Sequence, residues 1–134
     1  MRVDWATLCR YIEVHDNGSA LIVGAGTDIA FVASFPATID LVLATRLVGR
    51  PDEVEHVMAG SVRRPDMTSL ASFETIFKQG VHNAYVPPGW EAGFVQRVPI
   101  QFVADAEGPY DVVVAVDGNG RSVPLLVLLD PGVG

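Results

Sequence analysis

The chain has 134 residues with a single cysteine, a single lysine and a net charge of −7. That fits one domain with its own core, and it excludes an internal disulfide and the clustered basic surface that nucleic acid or an anionic membrane requires. The apolar fraction is 49% against 19% charged residues, and mean hydropathy is +0.32, yet no apolar run reaches the roughly 18 residues that span a bilayer. An N-terminus reading Met1-Arg2-Val3-Asp4-Trp5, without an apolar signal core, and an unpartnered Cys9 make the cytoplasm the expected location.

Taken in chain order, turn signals recur at intervals of roughly a dozen residues between segments rich in Val, Ile, Leu, Phe and Thr, the spacing of a sandwich or barrel. The first segment, Val3–His15, has two readings. Trp5, Leu8, Cys9 and Ile12 are spaced as on a helix face, while Val3, Trp5, Thr7, Cys9 and Tyr11 alternate as on a strand. Asp16-Asn17-Gly18 tips the balance toward a β-hairpin, with Ser19–Gly24 returning, because Asn-Gly tolerates the positive φ of a type I′ turn.

Thr38–Val48 reads as a long strand with Ile39, Leu41, Leu43, Thr45 and Leu47 on one face and Asp40, Val42, Ala44, Arg46 and Val48 on the other. Glu53–Arg63 and Thr68–Lys78 form a second hairpin around Arg64-Pro65-Asp66-Met67, where proline presets φ. Residues 79–93 are the longest break. Strands follow over Phe94–Ala104, Tyr110–Asp117 and Arg121–Leu129. Pro99 and Pro124 mark the first and last as edge or bulged strands, since proline cannot donate to a ladder. Residues 130–134 are expected to be a disordered tail. The sum is about eight strands and no helix. The expected fold is all-β, an antiparallel two-sheet sandwich of immunoglobulin-like type over residues 1–129, with Leu41, Leu43, Phe73, Phe77, Phe102, Val112 and Val114 in its core.

Gly108-Pro109-Tyr110, running into Val112, Val114 and Val116, resembles the tyrosine-corner entry to a late immunoglobulin strand. Three stretches taken together resemble a bacterial family of domains of unknown function. They are Cys9-Arg10-Tyr11-Ile12-Glu13 through Asn17-Gly18 to Leu21-Ile22-Val23-Gly24, then Phe35-Pro36-Ala37-Thr38, then the terminal Gly-Pro-Tyr strand with its Asp-Gly turn. The resemblance implies a small sandwich and carries no activity with it.

The motifs that could carry chemistry have blander readings. Gly24-Ala25-Gly26 after an apolar strand lacks the third glycine of a dinucleotide fingerprint, with Ile29 in its place, so a bend is expected. His15, His56, His82 and Cys9 show no zinc-ligand spacing. No serine sits in Gly-x-Ser-x-Gly, and Asp111 and Asp117 bracket a strand. No metal, cofactor or catalytic group is predicted.

Recognition chemistry gathers in the long break, where His82, Asn83, Tyr85, Trp90 and Glu91 form a candidate binding loop. The alternative is that Trp90 or Tyr85 folds back to plug the open end of the core. Several strands are apolar on both faces: Val42, Val113, Leu126 and Leu128 oppose the inward-facing sets. No helix is available to cover them, so they are the candidate interface of a homo-oligomer, most simply a dimer, unless a loop such as Gly26–Pro36 folds across. The expected function is a non-enzymatic binding or assembly module acting through a protein partner. The alternative is a small-ligand or carbohydrate-binding sandwich using residues 79–93.

Overall fold

The structure, a computed structural model, describes residues 1–15, 19–50, 55–78, 87 and 89–132, with the side chains of these except 75–78. It is all-β. Ten strands are present among the described residues: β1 (Arg2–Cys9), β2 (Tyr11–Val14), β3 (Ala20–Val23), β4 (Ile29–Val32), β5 (Ala37–Gly49), β6 (Glu55–Arg63), β7 (Ser69–Lys78), β8 (Ala92–Ala104), β9 (Gly108–Val116) and β10 (Asn119–Leu129). They form a three-stranded sheet ordered β1-β5-β8, a five-stranded sheet ordered β4-β10-β9-β6-β7, and the hairpin β2-β3. Two points correct the expectation of about eight strands in two antiparallel sheets. There are three sheets, and β4 joins β10 in parallel.

Val3–His15 is extended, not helical, and it breaks at Arg10 into two strands serving different sheets. A bulge explains why both periodicities appear. Val3 pairs with Leu47 but Trp5 pairs with Arg46, so Asp4 is the extra residue. An extra residue reverses which face the following side chains take. Val3, Ala6 and Leu8 therefore share the main core, while Trp5 and Cys9 point to the opposite side of the sheet. The Asp4 carboxylate accepts a hydrogen bond from Arg46 Nη1 at 2.8 Å.

The β2–β3 hairpin pairs Val14 with Ala20, one residue out of the register of a two-residue Asn-Gly turn, which would set His15 against Ala20. Residues 16–18 lie outside the described set, but His15 N donates to Ser19 O across the turn at 2.8 Å. Gly24 and Gly26 both have positive φ (73° and 81°), and the chain turns there and continues into β4 instead of starting a helix. The β6–β7 turn is built as its proline suggests. Met67 N donates to Arg64 O at 2.8 Å, and Asp66 Oδ1 accepts from both Thr68 N and Thr68 Oγ1. These two bonds hold the exposed Asp66 carboxyl below the usual aspartate range.

The three- and five-stranded sheets share one core. Leu8, Ile39, Leu43, Leu47, Ile100 and Phe102 come from the first; Met58, Tyr110, Val112, Val114, Leu125 and Val127 come from the second. Of the residues expected there, Leu43, Phe102, Val112 and Val114 are buried, Leu41 and Phe73 pack against the core only partly buried, and the Phe77 side chain lies outside the described set. Phe73 faces Gly60 across the β6–β7 pair, and a Cβ at Gly60 would sit 2.0 Å from the Phe73 ring. The glycine lets the ring lie over bare backbone, an arrangement by which aromatics restore packing beside a strand glycine. Tyr110 is fully buried, its hydroxyl donates to Ala106 O at 2.8 Å, and its ring meets Phe102 at 5.5 Å.

The prolines take the positions their missing donors dictate. Among the described residues β8, with Pro99, pairs only with β5 and so is an edge. Pro124 lies within an inner strand, yet β4 pairs with β10 only over Leu126–Leu129, after the proline has passed. The tail is tied at its start by Asp130 N donating to Val32 O at 2.7 Å. Residues 133–134 lie outside the described set.

Candidate interaction face

Each of the two main sheets has an outward face, and their fates differ. On the three-stranded sheet, Trp5, Cys9, Val42, Ala44 and Val95 point outward, and the β2–β3 hairpin lies across them through Ile12, Ala20 and Ile22 to make a second small core. Val42 is 8% exposed. That corrects its expected place on an uncovered face: the cover comes from strands, which a search for helices alone overlooks. Cys9 is buried in the same layer, with Sγ donating to Val42 O at 3.4 Å, and burial pushes its thiol pKa up. A buried thiol of this kind is inert.

The five-stranded sheet has no such layer among the described residues. The registers place Ile29 beside Leu126 and Phe31 beside Leu128, with Leu126 paired in turn to Pro109. Further along lie Pro124, Asp111 and Arg63 in one row, Ser122, Val113, Ser61 and Ser72 in the next, and Gly120, Ala115, Ala59 and Glu74 in a third. All of these alternate with the core set and so face outward. Phe31 is 60% exposed, Ile29 43% and Leu126 36%. Val113 and Leu128 are half-buried by their neighbours. The Gly26–Pro36 stretch, which could have folded across this sheet, instead supplies β4 in the plane of the sheet and enlarges the apolar face.

The candidate loop is described only at its end. His82, Asn83 and Tyr85 lie outside the described residues. Trp90 is 67% exposed and does not plug the core. Glu91 is ion-paired to Arg2, and beside this pair Arg50, Gly49 and Asn119 help line an open cleft of about 240 Å³.

Sequence reasoning did not bring His56 and Asp117 together. His56 lies on the inner face of β6, 3% exposed, and its Nδ1 is 2.6 Å from Asp117 Oδ2. An ionised carboxylate only accepts, so Nδ1 carries the proton. Asp117 Oδ1 also accepts from Val57 N at 3.3 Å, and the amino group of Met1 lies 3.6 Å from Oδ2. Burial pushes the Asp117 pKa up, but the His56 and Val57 hydrogen bonds, with the positive charges nearby, outweigh it and hold the carboxyl below its usual range. Asp117 has φ 49° in the β9–β10 turn, so the pair clamps that turn to the start of β6. The two residues are 61 positions apart, and no local signal joins them.

Among the described residues no group of three or more His, Cys, Asp or Glu is placed to hold a metal ion. No described helix is long and apolar enough to cross a membrane. No protein-family model, curated protein or solved structure gives a significant match to this chain.

Proposed function

We propose that this chain is a non-enzymatic binding or assembly module that acts through protein–protein contacts on an immunoglobulin-like scaffold. The observation that carries the reading is the outer face of the five-stranded sheet, uncovered among the described residues, with Ile29, Phe31 and Leu126 exposed side by side. Contiguous apolar surface of that kind marks an interaction site in monomeric proteins. The Tyr110 hydroxyl bonding back to Ala106 supports the immunoglobulin-like kinship, and with it the likeness to the bacterial family of unknown function. A lone, buried Cys9 suits a reducing compartment such as the cytoplasm. Leu126→Arg and Phe31→Arg should abolish retention of partner protein from the native host while leaving the melting temperature nearly unchanged. Undiminished retention by both variants overturns the proposal.

Trp90 favours a second reading, a small-ligand or carbohydrate site in residues 79–93, because an exposed indole offers a flat stacking surface. Saturable quenching of indole fluorescence by a sugar panel, lost in Trp90→Ala, is the result this reading requires.

A further inference from the structure

Resting on the reading that the uncovered sheet binds protein, we propose that its occupant is a second copy of this chain, packed sheet on sheet about a two-fold axis. The axis lies in the plane of contact and runs along the strands between β6 and β9.

Charge supports this placement first. Arg63 and Asp111 sit directly opposite each other in the β6–β9 pair and share the outer face. Neither side chain has a hydrogen-bond or ion-pair partner among the described residues. A two-fold along the strands lays β6 on β9 of the copy, so Arg63 meets Asp111 of the partner subunit and Asp111 meets the partner's Arg63. The face is thereby its own electrostatic complement, as an isologous contact requires. A different protein would have to supply an acid and a base at the same spacing. Glu74, in the outermost row, comes to rest over the partner's Gly120 and meets no acid. Two chains of net charge −7 can therefore approach at this face without like charges in register.

Side-chain size supports it second. The same rotation places Val113 over Ser61 of the partner subunit and Ala115 over the partner's Ala59, a larger group against a smaller one in each row. Flat rows of small residues permit the roughly 10 Å approach of stacked sheets. Leu126, at the bulky corner, comes opposite the partner's β6–β7 turn, where Met67 is 58% exposed.

Area supports it third. β9 has nine residues, about 30 Å of strand, and the four strands that overlap under this rotation, β10, β9, β6 and β7, span about 19 Å at about 4.8 Å spacing, with β4 lying beyond the partner's edge strand. The overlaid face thus offers about 570 Å², close to the roughly 600 Å² per partner at the lower end of standard stable interfaces.

Sedimentation or light scattering on the whole chain at micromolar concentration and above decides the matter. The parent should have twice the 14.3 kDa chain mass. Arg63→Asp and Asp111→Arg, each alone, should weaken association by about a hundredfold by setting like charges face to face, with folding unchanged by circular dichroism. The double variant Arg63→Asp/Asp111→Arg should restore the dimer, a rescue that merely structural damage would not give. A monomeric parent overturns the second copy as occupant. The protein-contact reading then stands or falls separately, on whether Leu126→Arg and Phe31→Arg lose their retained partner. A dimer that ignores both single reversals and Val113→Arg, or that the double variant fails to restore, also overturns this arrangement.

Discussion

The outward faces of the two main sheets begin from similar sequence. Val42 and Ala44 on β5, like Val113 and Ala115 on β9, alternate with core residues and are apolar. On the three-stranded sheet the chain supplies its own cover, since Ile12, Ala20 and Ile22 of the hairpin close over Cys9, Val42 and Val95. On the five-stranded sheet the described residues supply none, and the segment after the hairpin adds Ile29 and Phe31 to the same surface. The crossing between the two is short and pinned: Gly26 N donates to Thr7 Oγ1 at 2.8 Å and Thr27 N to Leu8 O at 3.1 Å, which carries the chain past the edge of β1. Apolar character on a second face thus has two outcomes in one molecule, an internal layer in one place and, among the described residues, an open surface in the other. Only topology distinguishes them.

The largest effect that could break this comparison is a charge introduced on each face. Val42→Asp buries an unpaired carboxylate beneath the hairpin and should cost about 3–5 kcal/mol of folding stability. Val113→Arg, at the equivalent place on the uncovered sheet, should stay within about 0.5 kcal/mol for the folded monomer. Denaturant titrations of both variants check this, and equal losses would mean that the faces are equally enclosed.

A smaller effect sharpens the contrast on the core side. Gly60→Ala brings a Cβ to 2.0 Å from the Phe73 ring, and displacing that ring should cost about 1–3 kcal/mol. The Gly60→Ala/Phe73→Leu pair should then be less destabilised than the sum of its single changes, because the residues share one space. Additive losses would show that the ring moves aside freely.

These contrasts also mark what was legible in the sequence. The hairpin at Asn17-Gly18, the turn at Pro65-Asp66, the edge position of Pro99 and the Tyr110 corner were readable, because each depends on φ limits, a missing donor or a partner within a few residues. The second faces were readable as apolar, and Val113, Leu126 and Leu128 do share one face. What covers Val42 was not readable, since it depends on where a hairpin of two four-residue strands docks. The Asp4 bulge hid the true faces of β1 by mixing two periodicities. The parallel docking of β4 and the meeting of His56 with Asp117 arise from contacts far apart in sequence, which no window of residues contains.

The smallest predicted effect concerns how the uncovered sheet is held at its end without a covering layer. The His56–Asp117 bond at 2.6 Å joins the start of β6 to the β9–β10 turn, and Asp117 N donates to Val57 O at 3.1 Å in the same join. The Asp117 carboxyl is held below its usual value of 3.8, mainly by His56 and Val57 against the opposing effect of burial. A folded-state pKa lowered in this way stabilises the fold once the unfolded chain's carboxyl is ionised. That contribution is complete above about pH 4–5 and is lost as pH falls through the lowered folded value. Asp117 is one-third exposed, so solvent screens the contribution and keeps it small. Asp117→Asn should therefore be less stable than the parent at neutral pH, with the gap closing as the pH drops below about 4. Urea melts of the two proteins across that window test it, and a gap that stays constant or widens in acid would remove the carboxylate from any part in holding the turn.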